Sequence, residues 1–275
     1  MKTTLFIKII LSVWLGFIFL ATSVHGEQNK PETMTISLVN FNLFPWYFMD
    51  NTGIMIDALR IIEKKLDIEI KFQHFPFLRA MSMLEKGLVD GFAPLTFKEY
   101  RLQFANFPTG VTGKIDIRKA IIFEGYSIYK LKKSNLGFNG YMFTNLTGNI
   151  GTQPGFAVIE NLKNLGLENH LDSGARGQEN NLKKIIHNRI QAAALLRTSA
   201  DYILKTNPVF GTQIERIPIP ITYEGLYLVL SHDFITKYPK FSQKIWQTVE
   251  EVRNSKEFRE LFDKFGVECH FCPSF

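Results

Sequence analysis

Residues 75–108 read FPFLRAMSMLEKGLVDGFAPLTFKEYRLQFANFP, and the order of signals in this stretch decides the architecture. Ala80, Met81 and Leu84 share one helical face between the charges of Arg79 and Lys86. Gly87 follows where a helix C′ glycine belongs, because glycine adopts positive φ without steric cost. Leu88 and Val89 then read as a short strand ended by Asp90-Gly91, and Pro94-Leu95-Thr96-Phe97 as the loop beyond it. Arg101 comes five residues after Thr96. Ligands of parallel α/β sheets sit at the carboxyl ends of strands, and a Thr hydroxyl with an Arg fork just past such a strand suits a carboxylate.

Upstream, Thr35 to Val39 alternates as a first strand. Ile54, Ala58, Ile61, Ile62 and Leu66 form a helical stripe, with Asp57 favourable to the dipole of its first turn. Ile68, Ile70 and Phe72 alternate with polar residues as a half-exposed strand. This β–α–β order, continued by residues 75–108, argues for a parallel sheet. The intervening Asn40–Asp50, NFNLFPWYFMD, is dense in aromatics that either plug the lobe or face a ligand. Arg79 stands at a helix start, where the dipole disfavours a cation. It is either a solvated surface residue or has a partner such as a ligand or Asp50.

Downstream, Lys119–Lys133 contains two strand-like pieces flanking Glu124-Gly125. Phe156, Ile159, Leu162 and Leu165 mark a helix behind the turn Thr152-Gln153-Pro154-Gly155. A strand, a glycine turn and a helix N-terminus offer backbone N–H groups to an anion. Residues 180–189 read as a helix, 190–196 as a buried strand, 213–220 as a strand with prolines, and 226–230 as a further strand. Phe241, Ile245, Val249 and Val252 face inward on a helix, and a last helix spans 255–265 before Gly266.

Taken together, these motifs resemble the bacterial periplasmic solute-binding proteins of family 3, the polar-amino-acid type. The resemblance runs from about Met34 to Gly266 and rests on Leu84, Gly87, Asp90, Thr96, Arg101, Phe104 and Pro108. It also rests on Pro45, Trp46, Phe48, Gly53 and Asp57, on Asn145–Gly151, and on Arg189-Ile190. It implies an α/β, two-lobe periplasmic-binding-protein type II fold. Each lobe would be a mostly parallel sheet flanked by helices, with two hinge crossings, the first at Glu124-Gly125 and the second near Glu224. The expected division is residues 27–124 plus 224–275 for lobe I and 125–223 for lobe II.

The resemblance also implies a ligand between the lobes. Trp46 or Tyr47 would stack on it, Thr96 and Arg101 would hold its carboxylate, and Arg79 is a further candidate. Thr152, Gln153, Gly155 and Thr198 would face it from lobe II. The Thr96–Arg101 spacing is longer than the family's usual one, and Arg101–Pro108 slightly shorter. Gln191 stands where the family has Asp. Leu195-Leu196-Arg197-Thr198 occupies the region of the acid that holds an amino-acid ammonium, and this departure counts against a simple α-amino acid.

Composition sets the remaining bounds. The chain has 275 residues, 45% hydrophobic and 21% charged, which suits two globular lobes. Of 32 basic and 26 acidic residues, Lys2 and Lys8 are the only charges before Glu27, so the remainder carries +4. With no basic cluster interleaved with aromatics, nucleic acid is not an expected partner. Met1–Gly26 reads as a cleaved signal peptide, with Lys2 and Lys8 before an apolar Ile9–Leu20 and cleavage after Gly26 or within Ala21-Thr22-Ser23. The expected location is periplasmic. Cys269 and Cys272 are the only cysteines and would form a local disulfide in an oxidising compartment.

No nucleophile elbow, zinc-protease motif or P-loop occurs, and Ser231-His232-Asp233 are adjacent rather than convergent. No cofactor or metal site is expected. The expected function is therefore binding, not catalysis: a monomer that captures a small polar or anionic, amino-acid-like solute for uptake by an ABC permease. The alternatives are a sensory module for a membrane receptor, and an exported enzyme using cleft carboxylates such as Glu224 and Asp50.

Overall fold

The computed structural model describes residues 30–267. The signal peptide read in Met1–Gly26 and the disulfide expected between Cys269 and Cys272 lie outside the described residues.

The first segments form as their periodicity predicts. Strand β1 (Thr33–Val39) leads to helix α1 (Ile54–Leu66), and the chain returns as β2 (Glu69–Phe75), parallel to β1 over seven register pairs. Helix α2 (Phe77–Glu85) buries Ala80, Met81 and Leu84. Gly87 ends it with φ +64°. Its N–H donates to the Leu84 carbonyl at 3.1 Å, and the Leu88 N–H to that of Met83 at 2.9 Å. This is the paired Schellman closure that a C′ glycine permits.

The next strand differs from the sequence expectation. Leu88 and Val89 belong to the turn, and β3 spans Gly91–Thr96. The Leu88 N–H is spent on the helix end, and Asp90 is spent on β1: its carboxylate accepts the Thr35 N–H at 2.7 Å. Gly91 then enters the ladder opposite Ile36 and Leu230. The strand thus runs through Pro94 and Leu95, which the sequence reading placed in a loop.

Strand β4 (Ile122–Leu131) is also one continuous strand rather than two pieces around Glu124-Gly125. Gly125 keeps the strand unbroken because its missing side chain makes room for the cross-strand ring of Tyr223; a Cβ there would lie 2.8 Å from that ring. After it come β5 (Gly137–Phe138), β6 (Phe143–Thr144), β7 (Ile150–Gly151), α3 (Val158–Asn164), β8 (Leu171–Asp172), α4 (Gln178–Ile186), β9 (Ala192–Leu196), α5 (Arg197–Thr206), α6 (Pro208–Gly211), β10 (Ile214–Arg216) and β11 (Thr222–Leu230). Pro218 and Pro220 confine β10 to three residues, shorter than the expected 213–220. The chain closes with α7 (His232–Lys237), α8 (Pro239–Arg253) and α9 (Lys256–Lys264).

The strand order is β2-β1-β3-β11-β4-β9-β7-β8, with β10 on β4. Parallel ladders β2-β1-β3 and β9-β7-β8 make the two lobes. The long antiparallel pair β4 and β11 joins them, and Glu124 faces Glu224 in its register. This is a mixed α/β, two-lobe architecture with two crossings. Strand β9, AAALL, is buried on both faces: Ala192, Ala194 and Leu196 enter the main core, while Ala193 and Leu195 pack with Leu182, Ile185 and Phe210 in a second cluster. Helices α8 and α9 return to the first lobe, where Lys264 pairs with Asp57 at 2.7 Å.

Candidate functional site

Arg101 is placed by a 3-10 turn (Glu99–Gln103) just after β3. It is 2% exposed, unusual for an arginine. Its Nη1 donates to the Thr96 carbonyl and its Nη2 to the Gly155 carbonyl, both at 2.8 Å, and Nε donates to the Tyr100 hydroxyl at 3.2 Å. The guanidinium thus spans the two lobes. Among the described residues no carboxylate lies within ion-pair distance of it, so its charge is met only by neutral acceptors and by the rings of Phe77 and Tyr100. A buried cation without a counter-charge attracts an anion.

Around Arg101 and Thr96 lies a cleft cavity of about 30 Å³, walled by Tyr47, Phe92, Tyr126 and Phe156. Phe156 from lobe II meets Phe77 of α2 at 5.6 Å between ring centres. Gly155 has φ +78°, and a Cβ on it would meet the Phe77 ring at 2.5 Å. The glycine is therefore what lets the two lobes approach here.

On the lobe II side, Thr152 continues the ladder by donating its N–H to the Asp172 carbonyl at 2.8 Å. Its Oγ1 is buried with no hydrogen-bond partner among the described residues. Gln153 accepts the Gly177 N–H at 3.1 Å through Oε1. Asn181 donates to the Thr152 carbonyl at 3.2 Å, while its own Oδ1 has no partner among the described residues.

The remaining sequence candidates are not gathered at Arg101. Trp46 is buried and donates its indole N–H to Glu124 Oε2 at 3.0 Å; it does not line the cavity, and Tyr47 does. Arg79 is exposed, with its guanidinium 5.3 Å from the Phe75 ring centre. That ring belongs to β2, and Arg79 does not line the cavity. Thr198 turns to the hinge, where its N–H and Oγ1 each donate to Glu124 Oε1 at 3.3 Å. Asp50 bonds Thr52, whereas Glu224 bonds Lys98 at 3.1 Å and Thr222 at 2.9 Å. The two carboxylates proposed for an enzyme have separate partners.

Glu124 is the residue that sequence reasoning passed over as a mere crossing point. It accepts from Trp46, Gly125 and Thr198, and among the described residues it pairs with no cation. Burial pushes its carboxyl above the usual glutamate range despite these donors. The available signal was a lone acid in the apolar run Ala120-Ile121-Ile122-Phe123 and Tyr126. Among the described residues, no three His, Cys, Asp or Glu side chains converge as metal ligands do, and no helix is long and apolar enough to cross a membrane.

No protein-family model and no curated protein matches the sequence. Solved structures do match the fold. A histidine kinase sensor domain with similarity to periplasmic binding proteins superposes with a TM-score of 0.71 at 13% identity, over 86% of this chain and 96% of that one. The arginine-, lysine-, histidine-binding protein ArtJ from Geobacillus stearothermophilus gives 0.68 at 15% identity, over 85% and 94%. The GluR0 ligand-binding core from Nostoc punctiforme, in complex with L-glutamate, gives 0.66 at 15% identity, over 86% and 99%. The fold is that of the type II periplasmic binding proteins.

Proposed function

We propose that this protein captures a small solute between its two lobes and hands the closed complex to a membrane partner. The carrying observation is Arg101, a guanidinium buried at the lobe junction with no acidic counterpart among the described residues. An incoming carboxylate offers that fork charged acceptors in place of two neutral carbonyls, which strengthens each hydrogen bond. In this reading lobe I comprises 27–124 plus 224–275 and lobe II 125–223, and Tyr47, Thr96, Arg101 and the Thr152–Gly155 turn face the solute. The amino-acid binders among the structural neighbours support a polar or anionic, amino-acid-like ligand. Arg197, where an ammonium-binding acid would stand, favours an organic acid or a blocked amino acid over a free one.

The partner in this reading is an ABC permease, reached by a monomer exported to the periplasm through its signal peptide. Closing on the solute, rather than converting it, is the whole of its action. A thermal-shift screen against amino acids, organic acids, amines and sugars tests it. A ligand at 100 times its dissociation constant raises stability by about 2.7 kcal/mol. A carboxylate hit lost in Arg101→Ala supports the reading, and a folded protein that no carboxylate stabilises sinks it.

The sensor-kinase neighbour favours a second reading, in which the same closure signals to a receptor. Loss of labelled-solute uptake in a deletion strain marks transport; intact uptake with loss of a transcriptional response marks sensing.

A further inference from the structure

Two rings stand across the Arg101 cleft, Phe77 of lobe I and Phe156 of lobe II. They are the residues that the inner cavity of about 30 Å³ at Arg101 shares with an outer recess of about 80 Å³, which Phe41, Leu78 and Pro154 also line. The pair is therefore the partition between the two spaces. Phe41 adds a third ring on the outer side, its centre 6.3 Å from that of Phe156.

The inner cavity has room for only about one or two waters, whereas small-molecule sites run to about 300–1,000 Å³. A solute reaches Arg101 only when one ring gives way. Phe77 packs within its own lobe, edge-on against Phe92 at 5.8 Å and with the Arg101 guanidinium 5.6 Å from its ring centre. Phe156 is partly exposed and follows Gly155, whose carbonyl is held from across the lobe junction by Arg101. Separating the lobes breaks that hydrogen bond, carries Phe156 away with its turn and leaves a ring-sized space beside Phe77.

The walls decide what fills that space. Leu43, Tyr47, Phe92, Leu95, Tyr126 and Leu196 line the inner cavity, and Arg101 is the one charged residue among its lining. Leu196 comes from the stretch where an ammonium-binding acid would stand. The hinge acids are engaged elsewhere, Glu124 with Trp46 and Thr198, and Glu224 with Lys98 and Thr222. An ammonium brought here loses its water without gaining a carboxylate. A carboxylate gains the guanidinium, and an apolar body gains its burial.

We propose that the Arg101 cleft takes a monocarboxylate with a flat apolar body, and that Phe156 is a gate whose place beside Phe77 that body takes. This rests on the capture reading above and names its solute class. The carboxylate replaces the Gly155 carbonyl on Arg101, and the apolar body packs on Phe77.

The test titrates the purified protein with 3-phenylpropanoate, L-phenylalanine, 3-phenylpropan-1-ol and succinate, using calorimetry for affinity and stopped-flow tryptophan fluorescence for rate. 3-Phenylpropanoate is expected to bind at least about tenfold more tightly than each of the others, a difference of about 1.4 kcal/mol. Arg101→Ala should remove the margin between this acid and the alcohol. Phe156→Ala and the milder Phe156→Leu should speed association of 3-phenylpropanoate severalfold, with affinity kept or raised. Circular dichroism confirms that each variant folds. Equal binding of acid and alcohol overturns the solute class. A preference for L-phenylalanine or succinate that still depends on Arg101 also overturns it and leaves the capture reading standing. Absence of saturable binding by every carboxylate ends both. Unchanged association rates in the two Phe156 variants, or loss of binding in them, overturn the gate.

Discussion

Arg101 Nη2 lies 2.8 Å from the carbonyl oxygen of Gly155, a residue 54 positions later in the chain and on the other lobe. The same guanidinium holds the Thr96 carbonyl on its own lobe. One side chain therefore ties the end of β3 to the turn before α3, and the energetic cost of burying its charge is borne at the lobe junction. Separating the lobes frees Nη2, and a carboxylate arriving there competes with the Gly155 carbonyl for it.

Arg101→Ala is expected to weaken carboxylate binding about 10- to 100-fold, as loss of a charged hydrogen-bonding fork does. It also leaves the Thr96 and Gly155 carbonyls without their donor, so the melting temperature of the ligand-free protein should fall. Calorimetric titration and thermal melts read the two effects separately. Unchanged affinity would move the site away from Arg101.

Gly155→Ala introduces a Cβ at positive φ, 2.5 Å from the Phe77 ring. The strained backbone alone costs about 1–2 kcal/mol. Because the clash is between lobes, the expected signature is an expanded molecule: a larger radius of gyration by X-ray scattering, along with a lower melting temperature. A variant as compact as the parent would show that Phe77 can yield without opening the lobes.

Glu124 gives a pH dependence with a definite sign. Burial raises its folded pKa above the ordinary 4.5, so the folded protein holds this proton where the unfolded chain has released it. Its contribution to stability is complete below pH 4.5 and declines as pH rises from there through the folded pKa. Glu124→Gln keeps a hydrogen-bonding group beside Trp46 and Thr198 but removes the titration. Melting temperature plotted against pH should therefore fall less steeply above 4.5 in the variant; parallel curves would show that Glu124 does not set the slope.

Gly87→Ala tests the helix stop. The glycine has φ +64°, and a Cβ there would run into the Asp233 carboxylate of α7. The expected cost is about 1–2 kcal/mol from the left-handed backbone, plus displacement of Asp233. Urea denaturation measures it, and a loss below about 0.5 kcal/mol would mean that the Schellman closure tolerates a side chain.

The sequence by itself determined the main helices and strands and their order, while the two-lobe plan came from the resemblance that their motifs carry. Those signals are local. Period 3.6 in residues 54–66 and 241–252, alternation in 68–72, and the apolar run within 190–196 each specify one element from its own residues. Gly87 belongs to the same class, since its closure uses only Met83 and Leu84. Where the reading slipped, a distant partner decided. Residues 88–90 became a turn because Asp90 bonds Thr35, 55 positions away, and β4 stayed whole because Gly125 admits Tyr223. The site was legible only in part for the same reason. Thr96 and Arg101 are neighbours in sequence and remain so in space. Trp46 joins Glu124 across 78 residues, and Thr198 joins it across 74. Periodicity carries no information about which long-range polar partner a buried indole or hydroxyl finds; that choice is made when the lobes pack and each buried donor takes the acceptor within reach.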